Sequence, residues 1–279
     1  MESLLRRERT IVAAGLALLC ALAWLYLLTG AGLGVSARDM TTLSLFPHRA
    51  AQAMDGMDMR DMPGMAMPAP PTWGPGRWAL TTAMWWTMMV AMMTSSAAPT
   101  ILLYGQVRRH AVAQGQAAVA LAPTGAFTAG YLLVWFGFST GAAALQWSLE
   151  RSGLLSSTMM ASQSRWLSAA LLIGAGAYQL SPLKGVCLRH CRSPAAFLSR
   201  HWRAGASGAI RLGALHGAYC VGCCWLLMAL LFIGGAMNLA WIAALTLLVL
   251  AEKLVPGGPW IGRAAGALLA AWGLATLLV

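Results

Sequence analysis

The sequence predicts an all-α protein, a polytopic bundle of about seven membrane-spanning helices with its N-terminus in the cytoplasm. Three observations carry that prediction. Hydrophobic residues make up 59% of the chain and charged residues only 10%, outside the range of soluble domains. Several apolar runs approach the roughly 20 residues that a helix needs to cross about 30 Å of hydrocarbon. No barrel-like alternation appears, which leaves helices as the means of satisfying the backbone in lipid.

Seven spans are expected at about 11–30, 78–104, 125–147, 165–182, 210–234, 237–255 and 260–279. The first follows "RRER" and is too long for the h-region of a signal peptide, despite a "VSA" at 35–37, so it reads as a retained helix. Residues 1–35 then form an N-terminal anchor and 36–77 an outer loop. The core is a six-helix unit over 78–279 with basic inner loops at 105–124 and 183–208. This arrangement puts 13 of the 19 Lys and Arg residues inside and 6 outside, which sets the orientation. The net charge of +11 follows from topology and anionic headgroups, and nucleic acid is not an expected partner. Pro99 should kink the second span, and "PGGP" at 256–259 should end the sixth. A bacterial inner membrane is the expected location.

The fifth span reads "HGAYCVGCCWLLMALLF" from residue 216. At 100° per residue, His216, Cys220, Cys223 and Cys224 share about a third of the helix circumference. Cysteine also packs as a small hydrophobe, and Gly217 and Gly222 suit close helix contact. A histidine in hydrocarbon, however, normally faces a partner or a cavity. Three thiols on its face point to soft-metal ligation or to redox chemistry.

The second span, "MWWTMMVAMM" from residue 84, sets Met84, Met88, Met89, Met92 and Met93 on two adjoining rows. Met88 and Met92 are candidate ligands, although methionine is also an ordinary filler of apolar gaps. In the outer loop, Met54, Met57, Met59, Met62, Met65 and Met67 alternate with aspartates. Packing does not explain methionines in a polar segment. Thioethers select Cu(I), while a scavenger of oxidants is another reading. The inner loop adds Cys187, His190 and Cys191 in "KGVCLRHCR", a candidate Cu(I) landing site or a basic partner-binding loop. Its spacing does not make a complete structural zinc site. Thiols would lie inside and in the membrane, thioethers outside, where thiols tend toward disulfides.

The chain contains no Walker loop, no His-Glu-x-x-His motif and no nucleotide-binding domain, so ATP-driven pumping is not expected of it. No acid orients His216 and Cys220 as a nucleophile pair, which disfavours an enzyme.

Four stretches resemble a known family: "MWWTMMVAMM", "YLLVWFGFS", "YQLSPLKGVCLRHCRSP" and the run from "HGAYCVGCCWLLMALLF" to "GGAMNLAWIAALTLLVLAEKLVP". Over roughly residues 78–258 they are similar to bacterial integral-membrane proteins described as predicted metal-binding, a domain family of unknown function. The resemblance implies a multi-span bundle with a metal role and no established reaction.

The expectation is therefore an inner-membrane protein that binds copper, as Cu(I), for transport, for delivery to a membrane cuproenzyme, or as a subunit of one. Its partners would be the lipid bilayer and a periplasmic copper protein or membrane cuproenzyme, and it could oligomerise. Two rivals remain. The Cys220-x-x-Cys223 spacing suits a thiol–disulfide electron carrier, and the sulfur residues of a structural subunit would only pack.

Overall fold

A computed structural model describes residues 2–32, 40–44, 46, 72–115 and 124–279, with side chains from residue 9 onward. Among the described residues ten helices follow one another and there is no strand. They are α1 (Glu2–Leu28), α2 (Pro75–Ala113), α3 (Thr124–Arg151), α4 (Arg165–Leu180) and α5 (Pro182–Arg192), then α6 (Pro194–His201), α7 (Gly205–Ala229), α8 (Leu231–Gly234), α9 (Leu239–Leu254) and α10 (Gly258–Leu278).

Among the described residues five segments are long and apolar enough to cross a membrane: Arg9–Leu28, Pro75–Ala113, Thr124–Arg151, Gly205–Gly234 and Gly258–Leu278. The expected fourth and sixth spans are helical as well, but α4 and α9 have 16 residues each, about 24 Å of helix. Either alone falls short of the hydrocarbon thickness. The segments expected on the inner side also hold more helix than anticipated. α2 runs on to Ala113, and residues 182–201 fold into α5 and α6.

Sequence explains most of the boundaries. Ser164 caps α4 through the Leu167 amide and Ser181 caps α5 through that of Lys184. Pro182 at the first turn of α5 starts that helix just where α4 stops. Asn238 caps α9 by accepting from the Ala240 and Trp241 amides. Its Nδ2 donates to Gly234 O at 3.0 Å and Thr42 O at 2.9 Å, which ties the outer segment to the bundle. Pro99 lies inside α2 and cannot bond the carbonyl of Ser95.

Glycines let two helix pairs approach closely. A Cβ added to Gly130 of α3 would lie 2.0 Å from Ile210 O of α7, and one on Gly213 would lie 1.9 Å from Phe127 O. α4 meets α10 in the same manner, Gly176 facing Gly266 O at 2.7 Å from an ideal Cβ. Small residues at such crossings allow the backbone contact that drives association where lipid removes the hydrophobic incentive. The core that results is rich in sulfur. Met84, Met88, Met89, Met92 and Met93 are all fully buried, together with Met228 and Met237.

Candidate metal centre

The α7 stripe points inward. Cys220, Cys223 and Cys224 are 1%, 2% and 1% exposed, and His216 is 2% exposed. The helix places the Cys223 and Cys224 thiols one turn beyond Cys220, and both donate to Cys220 O, at 3.1 and 3.0 Å. Back-bonding of this kind bends the two sulfurs toward one point above the same carbonyl. All six cysteines of the chain are free thiols.

α5 brings a fourth thiol to this point. The helix lies along α7, with Cys187 Sγ 2.9 Å from an ideal Cβ on Gly222, about 25 Å along α7 from its start. One turn further along α5 the Cys191 thiol interacts with that of Cys223. The inner-loop cysteines therefore belong to the α7 cluster and do not form a separate site. His190 diverges from them. Its ring stacks on Tyr219 with centroids 4.1 Å apart and planes 3° apart, and its Nδ1 meets Val186 O at 2.9 Å.

The cluster includes a buried cation. Lys253, near the end of α9, donates from Nζ to Cys220 Sγ at 3.0 Å and to Ser96 Oγ at 3.1 Å. The Tyr131 hydroxyl sits 3.2 Å from Cys220 Sγ on another side and donates to Met93 O at 3.1 Å. Met93 also presents a thioether, 3.9 Å from Cys224 Sγ. Five elements thus meet: α7 and α5 supply thiols, α2 a thioether and a hydroxyl, α3 the Tyr131 hydroxyl and α9 an ammonium. His216 lies one turn inward of Cys220 among the rings of Phe127, Tyr131 and Phe197. Its Nδ1 is buried without a hydrogen-bond partner.

A second polar group supports the end of α9. Glu252 Oε2 accepts from Lys184 Nζ at 2.5 Å and Oε1 from Gln179 Nε2 at 2.7 Å, both groups inside the protein. Arg192, at the end of α5, donates to Glu252 O, to Val255 O at 2.8 Å and to Pro256 O at 3.1 Å. These bonds satisfy carbonyls that the end of α9 leaves open. They also hold α5 against α9, and with them Cys191 near Lys253.

Chemically, the set is soft. Among the described residues no three His, Cys, Asp or Glu side chains converge as a ready metal cage, so the closed tetrahedral pattern of structural zinc is not built. Thiolates and a thioether are the donors that favour Cu(I), and two or three of them suffice without carboxylates.

The expected ligands therefore divide. His216, Cys220, Cys223, Cys224 and Cys191 are gathered, Cys187 is beside them, and His190 turns to Tyr219. Met88 and Met92 are buried in α2, while the methionine that touches a thiol is Met93. Met54, Met57, Met59, Met62, Met65 and Met67 lie outside the described residues. Sequence reasoning set Met93 in the methionine rows without choosing it as a ligand, and passed over Tyr131, Ser96 and Lys253. The signal for Lys253 was present: "AEKL" sets an acid and a base in an apolar run, where ionisable groups normally have a function.

The family model PpoB2, described as a copper chaperone, matches residues 82–276, from the methionine-bearing turns of α2 to the end of α10. No curated protein and no solved structure matches the chain.

Proposed function

The chain belongs to the PpoB2 family of copper chaperones, and from that premise we propose that it holds copper as Cu(I) within a bacterial inner membrane and delivers it to a membrane cuproenzyme. Two thiols out of Cys220, Cys223 and Cys191 are the principal ligands in this reading. Cys224, Met93 and His216 stand by as exchange ligands. Copper is the cargo, and it is bound where two helices bring thiols together.

One observation carries the proposal: the three buried thiols of α7 lie beside the Lys253 ammonium, and the half-buried thiols of α5 pack against the same core. Two thiolates around Cu(I) make a complex with a single negative charge. An isolated charge in an apolar interior is strongly unfavourable. Lys253, 3.0 Å from Cys220 Sγ, supplies the balancing charge. As copper enters, the two thiols lose their protons to the ligands the copper leaves or to water, and the oxidation state stays unchanged.

In membrane terms the reading has seven crossings with the N-terminus in the cytoplasm. The short α4 crosses together with α5, from which Pro182 separates it, and α9 crosses between longer neighbours. The Met-rich segment at 54–67 then faces the periplasm and exchanges copper with a soluble carrier there.

Metal analysis of the purified full chain after Cu(I) loading tests the proposal. The parent protein should retain copper in a fixed ratio, and the Cys220→Ser/Cys223→Ser variant should retain little at the buried site. Equal copper in both would exclude these thiols as ligands. A thiol–disulfide carrier would instead yield a trappable mixed disulfide and need no metal.

A further inference from the structure

α2 and α7 run antiparallel, and two contacts define their register. Met93 Sδ meets Cys224 Sγ at 3.9 Å, and eight residues away along each chain segment the Trp85 ring of α2 meets Phe232 of α8 with centroids 5.0 Å apart. Residues 205–234 are close to one continuous helix, so the register carries through. Midway between the two contacts it sets Met89 opposite Met228. Both are fully buried, and each lies one helical turn, about 6 Å, from the Met93–Cys224 contact.

Beyond the aromatic pair a cavity of about 470 Å³ opens at the end of the bundle that holds Arg77 and Glu150. Met40 and Met160 line it, with Thr81 of α2 and Gln146 of α3. Met160 has a left-handed backbone, φ 49°, an arrangement that costs energy in a residue other than glycine and recurs at functional sites. Gln146 Oε1 accepts from Trp85 Nε1 at 2.8 Å, which fixes the indole between the cavity and the methionines.

We propose that Met89 and Met228 form a relay site for Cu(I), joining the cavity lined by Met40 and Met160 to the thiol cluster, with Trp85 and Phe232 as the gate between them. The proposal rests on the copper reading above and adds a route and a direction to it. Thioethers are neutral and carry no proton. Cu(I) therefore advances by exchanging one neutral sulfur for the next, with no electron transferred and no proton released until it reaches the thiols. The relay binds weakly beside a thiolate site, so it speeds loading without adding to the copper held at equilibrium.

The test uses membrane vesicles of sorted orientation carrying the full chain. A Cu(I) chelate is offered to one face, loading is stopped at intervals with excess chelator, and copper per chain is counted after purification. Leucine nearly preserves the volume of methionine. Met89→Leu/Met228→Leu should therefore slow loading from the cavity face about tenfold or more, reach the parent's final copper content, and load normally from the opposite face. Met159→Leu, which does not line the cavity, should load like the parent. An unchanged rate, equal slowing from both faces or a reduced final content would overturn the relay. If the parent loads from neither face, the copper reading itself falls and the relay falls with it.

Discussion

A cation that already sits against the ligand sulfur has two roles at the scale of single residues. Lys253 bonds Cys220 and Ser96 and so has partners for a charge that would otherwise be stranded in the interior. In the proposed copper-bound state, the same ammonium would balance the bis-thiolate. Lys253→Met keeps much of the side-chain length and removes the charge. Its Cu(I) affinity, measured by competition with a colorimetric chelator, should fall at least tenfold, the equivalent of about 1.4 kcal/mol. An affinity equal to that of the parent would remove Lys253 from the site. His216 is distinguishable by spectroscopy. If its orphan Nδ1 joins the metal, X-ray absorption of the copper-loaded protein should show a nitrogen scatterer that His216→Phe eliminates while sulfur scattering persists.

Helix pairs set the next scale, and their glycines make sharp predictions. Gly213→Ala drives a methyl group into Phe127 O, so α3 and α7 have to separate, at a cost of roughly 1–3 kcal/mol or more. Thermal unfolding in detergent should shift down clearly. Gly174→Ala, whose Cβ meets nothing within 4 Å, should be neutral or slightly stabilising through helix propensity. The Lys184–Glu252 pair joins α5 to α9. Glu252→Gln leaves an unpaired ammonium in the interior and should destabilise by about 3–5 kcal/mol. Lys184→Met/Glu252→Leu, which removes both charges, should recover much of that stability in the same unfolding assay. Because this pair positions α5, the single variant should also loosen copper, whereas a purely local defect would leave copper affinity intact.

For the whole molecule, the arrangement is a buried thiol cluster with methionines leading toward one end. The outer methionines, Met54, Met57, Met59, Met62, Met65 and Met67, are expected to raise the local copper concentration there. Replacing all six by leucine should slow capture from dilute donors and leave the buried site's final copper content unchanged. A lower final content would place those methionines in the holding site. Introduced cysteines at residues 55 and 200 should react with impermeant reagents from opposite faces of the membrane, which tests the orientation directly.

Helicity and the inward stripe of α7 were legible in the chain itself. Apolar length leaves few alternatives in lipid, and 100° per residue gathers positions 216, 220, 223 and 224 whatever surrounds them. The caps at Ser164, Ser181 and Asn238 are equally local. Lys253, Cys191 and Met93 were not legible as partners of that stripe, because each comes from a different helix, and periodicity along one helix carries no information about its neighbours. Only the packing of α2, α5 and α9 against α7 decided which sulfur meets which and where the buried charge lies. That packing depends on long-range contacts such as Gly213 on Phe127, Arg192 on the end of α9 and Glu252 on Lys184, which join residues 60 or more positions apart along the chain.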